Sequence, residues 1–110
     1  MIKQVSILGA TGSIGDSTLK VIRNNRARYQ VHSLVAHQSV EKMMQLCREF
    51  LPKYAVLENK AAAEQLRAQV KSAQLPITVL AGEAAIIELV TESEIDLVVA
   101  KILEIFKKAI

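Results

Sequence analysis

The chain has 110 residues, of which 51% are hydrophobic and 23% charged, and its formal net charge is +3 at pH 7. These values predict one domain of the ordinary soluble globular class. Because the charge is mild, Trp is absent and only 4% of residues are aromatic, we expect no nucleic-acid partner. No apolar run is long enough to span a bilayer and no targeting segment precedes the first predicted strand, so we expect no membrane partner and a cytoplasmic location.

The first predicted element is a buried parallel strand, Lys3–Leu8, which runs directly into a glycine-rich turn. Gly9, Gly12 and Gly15 are spaced three apart and open a predicted helix, Asp16–Arg26. A strand that turns through glycines into a helix leaves unpaired backbone N–H groups at the helix N-terminus, where a phosphate can bind. This arrangement is typical of the nucleotide-binding turn of a Rossmann-type unit.

Each glycine of this turn has an expected role. Gly9 turns the chain sharply off the strand, Gly12 lets the backbone approach a pyrophosphate, and Gly15 lets the helix pack closely on the sheet. Thr11 and Ser13 add hydroxyls beside the same anion. The spacing G-x-x-G-x-x-G matches the standard fingerprint only loosely, so the alternative is a glycine-rich turn without a ligand. The order of strand, glycines and helix favours the nucleotide.

The second predicted strand, Gln30–Ala36, bears on which dinucleotide binds. NAD-binding units place an Asp or Glu about 20 residues beyond the glycines, where it holds the ribose 2′-hydroxyl. This chain has no acidic residue between Asp16 and Glu41. Because an acid would repel a 2′-phosphate, its absence from this interval favours NADP over NAD.

Three polar residues follow the second strand and are the candidates to contact that 2′-phosphate: His37, Gln38 and Ser39. The alternative is a polar loop that only begins the next helix, with Ser39 as its N-cap. Both interpretations stay open for His37 and Gln38. For Ser39 the pattern favours capping.

The rest of the chain continues to alternate helices and strands. The next helix has apolar residues at helical spacing, namely Val40, Met43, Met44, Cys47, Phe50 and Leu51, and ends at Pro52. Cys47 is the only cysteine, so no disulfide can form within the chain, which fits a reducing compartment. Its place among these apolar residues indicates a packing role. The last predicted strand is an almost continuous apolar run, as is typical of a central parallel position. After the second strand, the predicted elements in chain order are helix Val40–Leu51, strand Tyr54–Leu57, helix Asn59–Ala73, strand Ile77–Leu80, helix Glu83–Thr91 and strand Asp96–Ala100.

This alternation predicts an α/β fold, a Rossmann-like doubly wound parallel sheet of about five strands with helices on both faces. The expected strand order is 77–80, 54–57, 30–36, 3–8, 96–100. The glycine turn then lies at the switch point between the first and last strands, where such sheets bind ligands. Residues 1–100 are therefore predicted to form an incomplete NADPH-binding domain, and residues 101–110 a separate helical tail.

Four strings of this chain closely resemble the N-terminal part of the 1-deoxy-D-xylulose 5-phosphate reductoisomerase family. The resemblance covers about residues 1–100. The strings run from Ile7-Leu8-Gly9-Ala10-Thr11-Gly12-Ser13-Ile14-Gly15 to Asn25, then Cys47-x-Glu49-Phe50-x-Pro52-x-Tyr54-Ala55-Val56, Val79-Leu80-x-Gly82 and Asp96-x-Val98-x-Ala100.

The resemblance implies an enzyme of non-mevalonate isoprenoid synthesis that rearranges and reduces 1-deoxy-D-xylulose 5-phosphate to 2-C-methyl-D-erythritol 4-phosphate. It implies NADPH as cofactor, with Mg²⁺ or Mn²⁺ and a homodimer in the full-length family enzyme. By this resemblance, the backbone of Thr11, Gly12, Ser13 and Ile14 holds the cofactor phosphates, and Ala100 lies near the nicotinamide.

The chain departs from the family at two places. Ala36-His37-Gln38-Ser39 stands where the family typically has Ala-Gly-(basic)-Asn, the segment that holds the 2′-phosphate. After Ala100 the family continues with a glycine-rich segment, whereas this chain has Lys101–Ile110, with apolar residues on one helical face. A frameshift, a truncated gene or a fragment boundary would each produce such a tail.

The family's metal ligands, substrate-phosphate ligands and closing loop lie beyond the matched region. No His, Asp and Glu set has metal-ligand spacing in the sequence, so we predict no metal or catalytic residue and expect the acidic residues to be solvated. The chain alone is therefore expected to bind cofactor without turnover. The alternatives are a non-catalytic, nucleotide-responsive binding module that docks a partner through Lys101–Ile110, and an aspartate-semialdehyde-type dehydrogenase fragment, which shares only the glycine turn.

Overall fold

A computed structural model describes residues 2–99 as a five-stranded parallel sheet with four helices. The sheet order is β4-β3-β2-β1-β5, which confirms the order predicted from the sequence. The elements in chain order are β1 (Lys3–Leu8), α1 (Ser13–Arg23), β2 (Tyr29–Ala36), α2 (Val40–Phe50), β3 (Tyr54–Leu57), α3 (Lys60–Ser72), β4 (Thr78–Ala81), α4 (Glu83–Val90) and β5 (Leu97–Val99).

The helices cover both faces of the sheet, as predicted. The main core joins α1, α2 and α3 to one face, with Leu19, Met43 and Leu66 packed among the buried strand residues. The smaller core lies on the other face, where Leu89 of α4 packs with Val35. This division follows from handedness: right-handed crossovers from β1 to β4 progress in one direction, and the connection from β4 back to β5 reverses it.

Helix α1 differs from the prediction at both ends. It begins at Ser13 rather than Asp16, because Gly12 serves as its N-cap and the glycine turn itself forms the start of the helix. It ends at Arg23 rather than Arg26. There the Asn25 side-chain amide donates to the carbonyl oxygen of Val21 at 2.8 Å, and this bond accompanies the exit of the chain from the helix.

In α2 the predicted apolar stripe is buried at its four central positions, while Val40 at its start is half-buried. Met43, Met44, Cys47 and Phe50 are buried. Leu51 is 50% exposed and adopts a left-handed conformation with φ +47° as the C-cap. Helical spacing does not extend to Leu51 because the helix has already ended one residue earlier.

Strand β2 contains a bulge that the sequence did not reveal. Its register with β1 pairs Val5 with Val31 and then Ser6 with Ser33, so His32 is the extra residue. A bulge re-aims a side chain. The His32 ring is 97% buried and tilts against Tyr54, 5.6 Å between ring centroids, on the face that α4 covers.

Strand β5 lies at the edge of the described sheet, beside β1 alone, so the expectation of a central position is wrong within residues 2–99. Leu97 and Val98 are correspondingly more than 40% exposed. An apolar run indicates a strand, but it does not show whether other strands pair with it on one side or on both. Ala100 and the predicted tail, residues 101–110, lie outside the described residues. Among the helices of residues 2–99, none has the length and apolar character needed to cross a membrane.

Candidate nucleotide-binding edge of the sheet

Parallel strands bring the ends of β1 and β2 together at the carboxyl edge of the sheet. The backbone N–H groups of Gly9 and Ala10 both donate to the carbonyl oxygen of Val35, at 2.8 and 2.9 Å. The glycine turn is thereby fastened to the last residues of β2. The predicted phosphate-binding turn and the predicted 2′-phosphate segment therefore lie at one edge.

The glycine turn presents free backbone donors. Gly9 adopts φ +79°, the left-handed region that a sharp turn off β1 requires. No side chain caps α1, and the first helical hydrogen bond is from Asp16 N–H to the Gly12 carbonyl at 2.9 Å. The N–H groups of Ser13, Ile14 and Gly15 therefore precede that first bond and have no partner within the helix. Ser13 is exposed, and Thr11, Gly12 and Ile14 are half-buried.

Gly15 holds the start of α1 against the turn. A Cβ at this position would lie 2.4 Å from the carbonyl oxygen of Ala10 and 2.6 Å from that of Gly9. The helix N-terminus therefore sits directly on the strand–turn junction, as the predicted role of Gly15 requires. This close approach, with the free N–H groups, fits the diphosphate of a dinucleotide.

Lys42 is a site residue that the sequence analysis missed. It lies in the first turn of α2, and its Nζ donates to the Thr11 carbonyl oxygen at 3.1 Å. The ammonium group therefore stands beside the turn where a diphosphate would bind. A signal was available: α2 begins at the same sheet edge as the glycine turn, so a basic residue in its first turn can reach that turn.

The predicted 2′-phosphate segment follows β2 at this edge. Ser39 is the N-cap of α2 by position, but its side chain makes no capping hydrogen bond, so the cap predicted from sequence is only positional. Gln38 and Ser39 help to line a cavity of about 460 Å³ at the start of α3. His37 is 66% exposed, and its Nδ1 lies 3.6 Å from a carboxylate oxygen of Glu58.

Glu58 is the second missed residue, and it comes from the neighbouring strand. It directly follows β3, and its backbone N–H donates to the Ala36 carbonyl oxygen at 3.0 Å. In NAD-binding units the acid that holds the ribose 2′-hydroxyl follows β2, and the interval between Asp16 and Glu41 of this chain contains no acid. The adjacent parallel strand brings Glu58 beside that position, where His37 stands.

A cluster of titratable groups lies at the opposite, amino edge of the sheet. His32 Nε2 is 2.9 Å from Glu94 Oε1 and 3.4 Å from Glu92 Oε2, and Lys53 Nζ is 2.8 Å from the same Glu94 oxygen. The hydrogen bonds from Lys53 and then His32 are the main causes that lower the pKa of Glu94 to about 2.

The structure brings His32, Glu92 and Glu94 together, a set that no metal-ligand spacing in the sequence predicted. Their ligand atoms lie within 4.8 Å of one another. His32 is 62 residues from Glu94 along the chain, which explains why spacing did not reveal the set. The Lys53 ammonium already provides the positive charge that these carboxylates face, so the group is an ion-pair network that joins β2 and β3 to the α4–β5 connection.

The single cysteine has the structural role expected for it. Cys47 is fully buried in α2, and burial raises the pKa of its thiol to about 12. A thiol that stays protonated is a poor nucleophile. Cys47 is therefore a core residue.

Comparison with known proteins agrees with the observed fold. A family model described as 1-deoxy-D-xylulose 5-phosphate reductoisomerase matches residues 5–106. The reductoisomerase of Psychromonas ingrahamii is 46% identical over 100 residues, which cover 91% of this chain and 25% of that protein. That of Haemophilus ducreyi is 47% identical over 100 residues, with the same coverage of both chains. This chain therefore spans about a quarter of the length of these relatives.

Solved structures are similar in the same way. A crystal structure of DOX-P reductoisomerase in complex with NADPH, fosmidomycin and magnesium superposes with a TM-score of 0.86 at 38% identity, over 91% of this chain and 24% of that one. The Zymomonas mobilis reductoisomerase in complex with NADPH superposes with a TM-score of 0.74 at 34% identity, over 80% of this chain and 23% of that one. Sequence and fold agree, and the chain belongs to the 1-deoxy-D-xylulose 5-phosphate reductoisomerase family.

Proposed function

We propose that this chain is the NADPH-binding N-terminal part of a cytoplasmic reductoisomerase. The complete enzyme would isomerise 1-deoxy-D-xylulose 5-phosphate and reduce it with NADPH to 2-C-methyl-D-erythritol 4-phosphate. Family membership supports the reaction. The observation that carries the binding role is the glycine turn, where the N–H groups of Ser13, Ile14 and Gly15 precede the first hydrogen bond of α1.

Bound NADPH would supply the hydride, and this chain's residues would hold and orient it. The free N–H groups of Ser13 and Ile14 would donate to the diphosphate, whereas the Gly12 N–H already donates to the Gly9 carbonyl oxygen at 3.0 Å. Lys42 would add a positive charge beside the same turn. His37, Gln38 and Ser39 face the adenosine end, because they follow β2 at the same edge. Ala100 would border the nicotinamide, as the family resemblance implies.

We further propose that the isolated chain has no catalytic activity. Reduction requires the ketose phosphate to be held against the nicotinamide. Within residues 2–99, the one set of three potential metal ligands is His32, Glu92 and Glu94, at the edge of the sheet opposite the glycine turn. This set does not fit the magnesium named for the related structures, which would have to act beside the cofactor.

The binding role is tested by titrating the purified chain with NADPH, with intrinsic cofactor fluorescence and thermal shift as readouts. We expect saturable binding that Ser13→Asp abolishes, since a carboxylate at the first residue of α1 would lie beside the free N–H groups, unlike the native Asp16, and would repel the diphosphate. Ser17→Asp is the matched control, because Ser17 is also exposed on α1 but lies one turn further along. Absence of binding by the unsubstituted chain at millimolar NADPH would refute the proposal.

The catalytic part is tested separately with the ketose phosphate, NADPH and Mg²⁺ or Mn²⁺. We expect no oxidation of NADPH above the rate without protein. Turnover that copurifies with the chain through successive columns would contradict the proposal of inactivity and leave the binding result untouched.

A further inference from the structure

A carboxylate lies beside the position from which dinucleotide-binding folds distinguish NAD from NADP, although the usual interval after the glycine turn contains no acid. In NAD-binding units an acidic side chain at the end of the second strand accepts a hydrogen bond from the ribose 2′-hydroxyl. In this chain the residue at that point is His37, and the nearest described acid beside it is Glu58, which follows β3.

Backbone hydrogen bonds hold the two segments side by side. Ala36 is in register with Leu57 across the β2–β3 pair. Beyond the strands, the pairing continues: Glu58 N–H donates to the Ala36 carbonyl at 3.0 Å, and Asn59 N–H donates to the His37 carbonyl at 2.9 Å. The position of Glu58 relative to His37 is therefore built into the sheet and does not depend on a flexible loop.

The side chains confirm this proximity. Glu58 Oε2 lies 3.6 Å from His37 Nδ1, and both side chains are more than half exposed, so a ligand can reach them. The Glu58 carboxylate is one of the negative charges counted in the formal charge of +3 at pH 7. A 2′-phosphate brought to His37 would meet that charge at short range.

Two opposing charges therefore act on the adenosine end of a bound cofactor. The N-terminus of α2 attracts an anion, because the first helical hydrogen bond is from Met43 N–H to Ser39, and the Ser39 side chain does not cap the earlier donors. Glu58 repels the same anion. A ribose 2′-hydroxyl, which is uncharged, gains an acceptor instead.

We propose that Glu58 is a specificity-determining residue that disfavours a 2′-phosphorylated cofactor and accepts a hydrogen bond from an unmodified ribose 2′-hydroxyl. The preference of this chain for NADPH over NADH is accordingly smaller than the acid-free interval predicts. This inference rests on the proposed function, because it requires a dinucleotide at the carboxyl edge.

The test compares dissociation constants for NADPH and NADH, and for the fragments 2′,5′-ADP and 5′-ADP, which lack the nicotinamide. We expect Glu58→Gln to tighten NADPH and 2′,5′-ADP by about fivefold and to leave NADH and 5′-ADP unchanged or weaker. Glu58→Lys should shift the ratio further in the same direction. Glu88→Gln is the matched control, since Glu88 is exposed on α4 and the change in net charge is identical.

The outcomes separate this inference from the proposed function. In one outcome, both coenzymes bind while Glu58→Gln and Glu88→Gln give the same ratio of NADPH to NADH dissociation constants. That result would refute the role of Glu58 and leave the proposed binding site intact. If neither the original chain nor any variant binds either coenzyme, both proposals fail. Circular dichroism of each variant verifies that the fold is retained.

Discussion

Gly15 lies so close to Ala10 that a single added methyl group would overlap the Ala10 carbonyl oxygen, at 2.4 Å. The neighbour is backbone and cannot rotate away as a side chain would. The start of α1 and the turn that follows β1 are therefore in direct backbone contact, and this contact places the helix N-terminus at the glycine turn.

Gly15→Ala is expected to destabilise the fold by about 3 kcal/mol, because relief of the overlap requires α1 to move off the sheet. Gly9→Ala provides the comparison. Gly9 has φ +79°, but an added methyl group there would meet open space, so only backbone strain of about 1–2 kcal/mol is expected. Urea unfolding measures both. Equal losses for the two variants would contradict the overlap.

Lys42→Gln is expected to weaken NADPH binding about tenfold at low salt, because it removes a positive charge beside the diphosphate. The loss should shrink as salt rises, since this charge is exposed and is screened. Lys71→Gln is the control, an equal change of charge in the last turn of α3. A titration in which both lysine variants bind alike at every salt concentration would remove Lys42 from the site.

The Glu94 network predicts a specific loss of stability in acid. Its folded-state pKa of about 2 lies below the ordinary 4.5, so the ionised carboxylate stabilises the fold above pH 4.5, and this contribution disappears as the pH falls towards 2. Glu94→Gln should lower the Tm by a few degrees near neutral pH and by nothing near pH 2. Glu88→Gln should leave the Tm unchanged at both. A Glu94→Gln difference that persists at pH 2 would argue against the charge as its cause.

Cys47 is expected to react with a thiol reagent at pH 8 only as fast as the protein opens. Burial raises the pKa of its thiol from 9.0 to about 12, so the native state contains almost no thiolate. The contribution of the buried, protonated thiol to the free energy of unfolding is complete below pH 9. It is lost as the pH rises towards 12, because the Cys47 thiol ionises in the unfolded chain first. Reaction kinetics in native buffer and in guanidinium chloride measure this. Rapid labelling of the native protein would place Cys47 at the surface.

Local patterns decided the elements and their order. Lys3–Leu8 and Tyr54–Leu57 were predicted at their observed bounds, because their apolar runs end at turn residues that stop a strand. The strand order followed from alternation and crossover handedness, which depend on chain order alone. The predicted start of α1 and end of α2 were wrong, because capping residues, Gly12 and Leu51, determine those boundaries and the apolar periodicity does not.

The amino-acid sequence by itself determined the parallel α/β sheet, the glycine turn and the family, because these depend on residues that are near one another along the chain. Only the tertiary structure decided which distant groups contact one another: the Lys42 ammonium with the Thr11 backbone carbonyl, Glu58 with His37, and Glu94 with His32. Those meetings depend on strand register, on one bulge and on the direction of each side chain across neighbouring strands. No periodicity in the sequence records these quantities, so these contacts became visible only when the strands were placed side by side.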